Sequence, residues 1–466
     1  MSQRPAAVPN EPLTVTERRV LALAVLASFV AFLDGSVVNV ALPAISADVG
    51  GGLALQQWVI DAYLITLGSL ILVAGSVSDV FGRMRVVRVG LFGFALTSVA
   101  IGLAPTAELL VIMRGLQGVA GALLVPSSLA LITSTFRSEK QGRAIGLWTA
   151  LTSVAMLIGP LVGGVFVDAG WWRGIFYLNV IPVAIALVIS FRIGQKDVRL
   201  ANVTVDYLGA VLCVIGLGGV VFALIEAPRL GSDSPLIIWP AVVGVLALIG
   251  FLARQATARH PLMPLSLFRV RNFGWGNIAT TFIYAALSLN GLVVVVYLQQ
   301  VAGLSATASG FTMIPLTIIM ILLSPRVGRL AGRWGPRPFM TVGPILAGIG
   351  MLLMLSITPD FNYWTQLLPG ILVFGVGLAI TVSPLTTAIL GSIEPARSGI
   401  ASAVNNAISR IAGLLAIALI GVIMGGAISL DGLQRTLLVC AGLLVLGGVV
   451  SWIGIRRTAV VAVPDH

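Results

Sequence analysis

Charge is what this sequence has least of. Asp, Glu, Lys and Arg make up 10% of its 466 residues, 58% are hydrophobic, and the mean hydropathy is +1.05. A soluble domain carries about 25% charge, so much of this apolar surface has to face lipid. Histidine and cysteine are nearly missing, at two each. His260 and His466 lie outside every apolar stretch, which leaves proton chemistry inside a membrane to carboxylates. Cys213 and Cys440 sit within apolar stretches and define neither a metal site nor a redox compartment. The only lysines, Lys140 and Lys196, fall outside the G-x-x-x-x-G-K-S/T context that cradles phosphate, which sets ATP-driven transport aside. A formal charge of +11 would point to nucleic acid in a soluble chain. Here the basic residues are confined to particular loops, so no nucleic acid, metal or cofactor is expected.

Long apolar runs are what the chain does have. Hydropathy gives fourteen, at about 20–42, 57–77, 86–104, 109–132, 143–167, 174–192, 207–226, 236–253, 273–298, 309–328, 339–357, 366–390, 400–425 and 435–455. The first is preceded by Arg18 and Arg19 like a signal peptide, but it is too long for one and is interrupted by Asp34, so it is expected to be retained. With residues near span boundaries counted in the adjoining loops, only Arg173, Arg229 and Arg435 of the 28 Lys and Arg lie in the odd-to-even loops, and only Arg114 and Arg410 lie inside spans. The positive-inside rule then puts both termini in the cytoplasm. The loop GSVSDVFGRMR (75–85) recurs as GRLAGRWGPRP (328–338), with Gly75 and Gly82 answered by Gly328 and Gly335. The chain thus divides into a cytoplasmic tail (1–19), a six-helix bundle (20–192), an inserted pair with basic flanks (193–272), a second six-helix bundle (273–457) and a short cytoplasmic tail (458–466). Parallel repeats of this kind mark transporters that handle substrate between their halves. The inserted pair reads as a lipid-facing appendage, and the tail before Thr14 as disordered.

Three ionisable residues lie within spans of the first half. At ~1.5 Å per residue, Asp34 is roughly 21 Å above the start of its span, while Asp61 and Arg114 are roughly 6 and 8 Å from the outer ends of theirs. A buried Arg keeps its charge and wants a carboxylate nearby. Asp34–Arg114 can therefore be a structural ion pair, or Asp34 can be a proton site whose occupancy follows access to water or substrate. Asp61 is either solvated near the surface or turned into a cavity. Arg114, Gln117 and Gly121 share one helical face, and Gly115, Gly118 and Gly121 would let a neighbouring helix approach. In GPLVGG, Pro160 kinks its helix while Gly159, Gly163 and Gly164 leave room at the bend. Asp79, beside Arg83 and Arg85, is placed to sit against the N-terminal end of a helix from the other half and latch one conformation.

Four stretches in fixed order, LDGSVVNVALP (33–43), GSVSDVFGRMR (75–85), RGLQGVAGALLVP (114–126) and GPLVGG (159–164), together with the span count, resemble the major facilitator superfamily. Within it the chain is similar to the fourteen-helix drug:proton antiporters. WVIDAY (58–63), VDYLGA (205–210) and NNAISRIAG (405–413) extend the likeness over nearly the whole chain. The resemblance implies an all-α membrane fold in the cell membrane, driven by the proton gradient. It implies that Asp34 binds the coupling proton with help from Arg114, and that Gly75, Asp79, Gly82, Arg83 and Arg85 form a cytoplasmic gate. Gly159 and Pro160 would belong to the antiporter motif, and Asp61 would face the cavity and meet cationic substrates. Gln117, Asn406 and Arg410 complete the candidate cavity.

Two departures qualify this. Gly332 stands where Asp79 stands in the first half, and no acid lies within the last six spans, which disfavours dications and favours neutral, lipophilic or monocationic substrates. Arg410 either meets an anionic or carbonyl group or bonds helix carbonyls. The expected activity is export of a small amphipathic compound in exchange for protons, by a monomer among membrane lipids. Export of lipid or envelope precursors is the alternative within transport, and a non-transporting receptor the alternative outside it. An enzyme is not expected, because no nucleophile–base pair falls within a span.

Overall fold

The computed structural model describes residues 13–136, 138–194, 205–394 and 397–456. Among these, fourteen helices are long and apolar enough to cross a membrane. They are α1 (Val15–Val49), α2 (Gly52–Phe81), α3 (Arg83–Gly102), α4 (Ala107–Thr135), α5 (Lys140–Asp168), α6 (Gly174–Phe191), α7 (Tyr207–Leu230), α8 (Pro235–Thr257), α9 (Arg271–Gln300), α10 (Ala306–Trp334), α11 (Arg337–Ser356), α12 (Tyr363–Leu390), α13 (Ser398–Met424) and α14 (Leu430–Gly454). Each corresponds to one of the fourteen apolar runs. The expected disorder before Thr14, part of the basic flank (195–204) and the final tail from 457 lie outside the described residues.

All-helical structure follows from the solvent. Hydrocarbon offers no partner to a backbone N–H or C=O, so each crossing segment satisfies its own. The ends are capped locally: Thr14 and Glu17 form a capping box on α1, and Thr106, Asp206 and Ser429 accept from the first turns of α4, α7 and α14. Two breaks coincide with prolines. Helix α6 is interrupted at Asn179, where Pro182 lacks the N–H that would return to Leu178, and α10 is interrupted at Thr312–Met313, ahead of Pro315.

Packing repeats between the two sets of six. Helix α1 lies against α5 and α6, α2 against α4, and α3 against α4 and α6; likewise α9 lies against α13 and α14, α10 against α12, and α11 against α12 and α14. Across the middle, α2 meets α13 and α5 meets the start of α10, as a twofold exchange of the sets would place them.

Hydrogen bonds between described residues join the two sets at one end. There Gln57 donates to the carbonyls of Ile417 (2.7 Å) and Ala418 (3.0 Å), and Gln299 donates to that of Val40 (3.0 Å). At the other end, which carries residues 15 and 454, a Cβ on Gly75, Gly142, Gly146 or Gly332 would meet nothing within 4 Å. Leu147, Leu151, Ile321 and Leu322 are exposed there.

The inserted pair divides its labour. Helix α8 exposes Trp239, Val243, Leu246 and Ile249, as a lipid-facing appendage would. Helix α7 instead covers the α2–α13 seam, where Leu217, Val221 and Ile225 pack with Ile65, Leu414 and Ala418. It is pinned at its outer turn by Glu226, which accepts from Trp58 Nε1 at 2.8 Å and pairs with Arg229 at 2.7 Å.

Candidate functional site

The Asp34 carboxylate is fully buried in the middle of α1, and two other helices supply its partners. Arg114 of α4 pairs with its Oδ2 at 2.5 Å. Its Oδ1 accepts from Asn179 Nδ2 of α6 at 2.9 Å and from Gln117 Nε2 at 3.3 Å. Arg114, 1% exposed, also donates to Gln117 Oε1 (2.7 Å) and to the Val59 carbonyl of α2 (2.9 Å), and its guanidinium lies 4.4 Å from the centre of the Tyr63 ring. Gln117 is in turn anchored to Ser98 of α3 at 2.8 Å. A buried ion pair repays its desolvation only with further hydrogen bonds to its donors and acceptors, and here Oδ1 of Asp34 and Nε and Nη1 of Arg114 have them. Five helices of the first bundle therefore meet at one charge pair.

The local sequence explains the approach. A Cβ on Gly118 would collide with Thr66 Oγ1 and the Tyr63 carbonyl, so glycine lets α4 lie directly on α2, and Thr66 donates to the Gly115 carbonyl at 2.7 Å. At the interruption in α6, Asn179 turns its amide to Asp34. Asn179, Ser98 and Tyr63 were not among the residues singled out from sequence. Their only signal was a polar or aromatic residue within an apolar span, Asn179 being three residues ahead of a proline.

A cavity of about 470 Å³ lies between the two sets of six helices. Arg114, Asn406 and Arg410 line it; Asp61 and Gln117 do not. Gln117 is held in the Asp34 cluster. Asp61 is fully buried, one turn from Trp58 and from Ile65 on the α2 face that meets α7 and α13, and its carboxylate oxygens have no partner among the described residues. Asn405, the neighbour of Asn406, ties α13 to α9 through Asn277 and Thr280 (both 3.0 Å).

The remaining motif residues fall at the rims. Asp79 pairs with Arg83 at 3.0 Å, Arg83 reaches the Ala130 carbonyl of α4 at 3.1 Å, and Arg85 is exposed. Among the described residues, the Asp79 carboxylate is bonded within its own bundle. Gly82 joins α2 to α3 at φ +97°, a conformation that excludes most side chains. Along α5, Gly159 and Gly163 face Ser36 and Val37 of α1, whereas Gly164 faces Thr307 and the Pro160 carbonyl faces Gly310, both in α10. The antiporter stretch therefore packs on its own bundle with one edge and on the other bundle with the next.

Two matched six-helix bundles around a membrane-embedded cavity define a polytopic transporter and not an enzyme. The chain belongs to the Major Facilitator Superfamily, whose family model matches residues 24–417. It is 33% identical over 411 residues to the multidrug resistance protein Stp of Mycobacterium tuberculosis, covering 87% of this chain and 75% of that one. To the tetracenomycin C resistance and export protein of Streptomyces glaucescens it is 33% identical over 430 residues, covering 91% and 79%. Its fold is that of the xylose transporter XylE from E. coli, with a TM-score of 0.66 at 14% identity over 96% of this chain and 99% of that one.

Proposed function

We propose that this transporter is a proton-coupled antiporter that exports small amphipathic or lipophilic drugs by alternating access, with both termini in the cytoplasm. The observation that carries the proposal is that Arg114 belongs to two places at once. It pairs with the sealed Asp34 carboxylate and it lines the cavity. A proton arriving on Asp34 cancels one charge of the pair and leaves a buried guanidinium in need of another acceptor. Proton occupancy and the contents of the cavity are then linked through one side chain. If protons and substrate favour opposite conformations, each drives the other across.

The distribution of basic residues orients the cycle. With the Lys- and Arg-rich loops in the cytoplasm, the cavity opens inward and the contacts at Gln57 and Gln299 close the outside. The names of the relatives, multidrug resistance and antibiotic export, favour drugs as cargo. The energy source is the proton gradient, with no bound cofactor.

Inside-out vesicles test this directly. Adding a compound to which expressing cells gain tolerance should release an imposed pH gradient in the wild type and not in Asp34→Asn. Equal release by Asp34→Asn would remove Asp34 from proton coupling.

A further inference from the structure

The cavity contains a cation that none of the described residues neutralises. Arg410, half-buried on α13, makes no hydrogen bond or ion pair among the described residues, and its guanidinium carbon lies 5.8 Å from the centre of the Phe32 ring. The other cationic side chain at the cavity wall, Arg114, is neutralised by Asp34 and bonded through Nε and Nη1 to Val59, Asp34 and Gln117. No Asp or Glu lines the cavity. The buried acid of α2, Asp61, does not line it and lies on the face of α2 that meets α7 and α13.

Position makes Arg410 more than a solvated charge. A Cβ on Gly68 of α2 would lie 3.5 Å from the Cβ of Arg410, so α13 rests on α2 at this level and the guanidinium projects between the two bundles. The nearby walls are apolar or aromatic, including Phe32, Tyr63, Leu64, Met156 and Tyr284, with Asn406 and Ser288 as neutral polar groups. An unpaired cation within a membrane is costly. A cationic ligand would add a like charge with no carboxylate to meet it, whereas a carboxylate or enolate would take the planar donor fork of the guanidinium in a bidentate pair.

We propose that the cavity selects amphipathic monoanions, an aromatic or alicyclic body carrying one carboxylate or enolate, and that Arg410 is the residue that selects them. This rests on the transport reading above and replaces the neutral or monocationic cargo expected from the sequence with an anionic one. It also adds a driving force. Moving an anion outward against inward protons carries net positive charge inward, so an inside-negative membrane potential assists every turn of the cycle.

Three naphthalene probes of one size separate charge from shape: 2-naphthoate, its methyl ester and 2-naphthylmethylammonium. Binding to the purified full-length protein is measured by titration calorimetry, and release of the pH gradient is measured in inside-out vesicles. The wild type should bind the acid about tenfold or more tightly than the ester or the amine, as a charge-assisted pair implies. Arg410→Gln should collapse that ratio to near one, and Arg410→Lys should keep part of it. Size-exclusion behaviour identifies a variant that has failed to fold, and Arg410→Lys then carries the comparison. An ester or amine bound as tightly as the acid, an acid preference that survives Arg410→Gln, or binding of none of the three overturns the selection of anions. If no compound of any charge releases the gradient through the wild type, the transport reading falls with it; if esters or amines release it and acids do not, only this inference falls.

Discussion

The Asp168 carboxylate, at the last residue of α5, accepts the backbone N–H of Thr307 at 2.9 Å in the first turn of α10. Its other oxygen accepts that of Ala306 at 2.8 Å. An acid of one bundle thus caps a helix of the other, where free N–H groups and the helix dipole favour negative charge. This is the latch chemistry expected of Asp79, found at the opposite end of the molecule.

Asp168→Asn should therefore loosen the closed end. At this exposed site the carboxylate contributes about 1 kcal/mol, roughly a fivefold change in the ratio of open to closed molecules. Spin labels at the exposed positions Ala169 and Gln300 read that ratio as a longer-distance population. An unchanged distribution in Asp168→Asn would show that the cap follows closure without supporting it.

The antiporter stretch makes a second, sharper prediction because adjacent glycines face different bundles. A Cβ on Gly163 meets the Val37 side chain and carbonyl (2.8 and 2.9 Å), a contact inside the first bundle needed in every conformation. Gly163→Ala should lower thermal stability by about 1–3 kcal/mol, the usual cost of overpacking. A Cβ on Gly164 meets Thr307 Cα and N (2.5 and 2.7 Å), a contact made only when α5 and α10 close. Gly164→Ala should leave stability nearly unchanged and shift the label distances toward the open end. If both variants behave alike in both measurements, the two faces of α5 do not have separate roles.

Much of this was legible in the sequence, for reasons that can be named. Fourteen apolar runs give fourteen helices because only helix satisfies backbone in lipid. The Asp34–Arg114 pair was readable because two opposite charges in hydrocarbon have few alternatives to each other. The depth of Asp61 was legible, but the face it turns was not. Periodicity defines a face only relative to neighbours, and the neighbour here is α7, which a reading of two six-helix halves leaves at the periphery. Asp168 was hidden for a different reason. It ends an apolar run beside a loop, where an acid is ordinarily just solvated, and only the position of α10 gives it a task.

Helix α7 supplies the third prediction. Glu226 is buried at the outer end of the α2–α13 seam and is held by both Trp58 and Arg229. Trp58→Phe keeps the ring and removes one donor, leaving Arg229 to hold the carboxylate. The expected cost is about 1 kcal/mol, read as a modest fall in melting temperature in detergent with transport retained. A melting temperature equal to the wild type would mean that α7 rests on the seam by apolar contact alone.

The last prediction concerns the centre. In the closed cluster around Asp34, either charge left alone is worse than neither. Asp34→Asn leaves the Arg114 guanidinium buried with Gln117 Oε1 and the Val59 carbonyl as acceptors, while Arg114→Gln leaves a carboxylate with only the amides of Gln117 and Asn179. Breaking a buried pair from one side costs about 3–5 kcal/mol, whereas replacing both partners with neutral groups can cost little. The double variant Asp34→Asn/Arg114→Gln should therefore melt at a higher temperature than Arg114→Gln alone, with an interaction energy of roughly 2 kcal/mol or more in the thermodynamic cycle. Transport must not return with stability, because the neutral pair has no site for a proton to discharge. A double variant that regains proton-driven efflux would place the coupling elsewhere, with Asp61 the next buried carboxyl to test. Additive losses in the cycle would mean that Asp34 and Arg114, though 2.5 Å apart, do not depend on each other for folding.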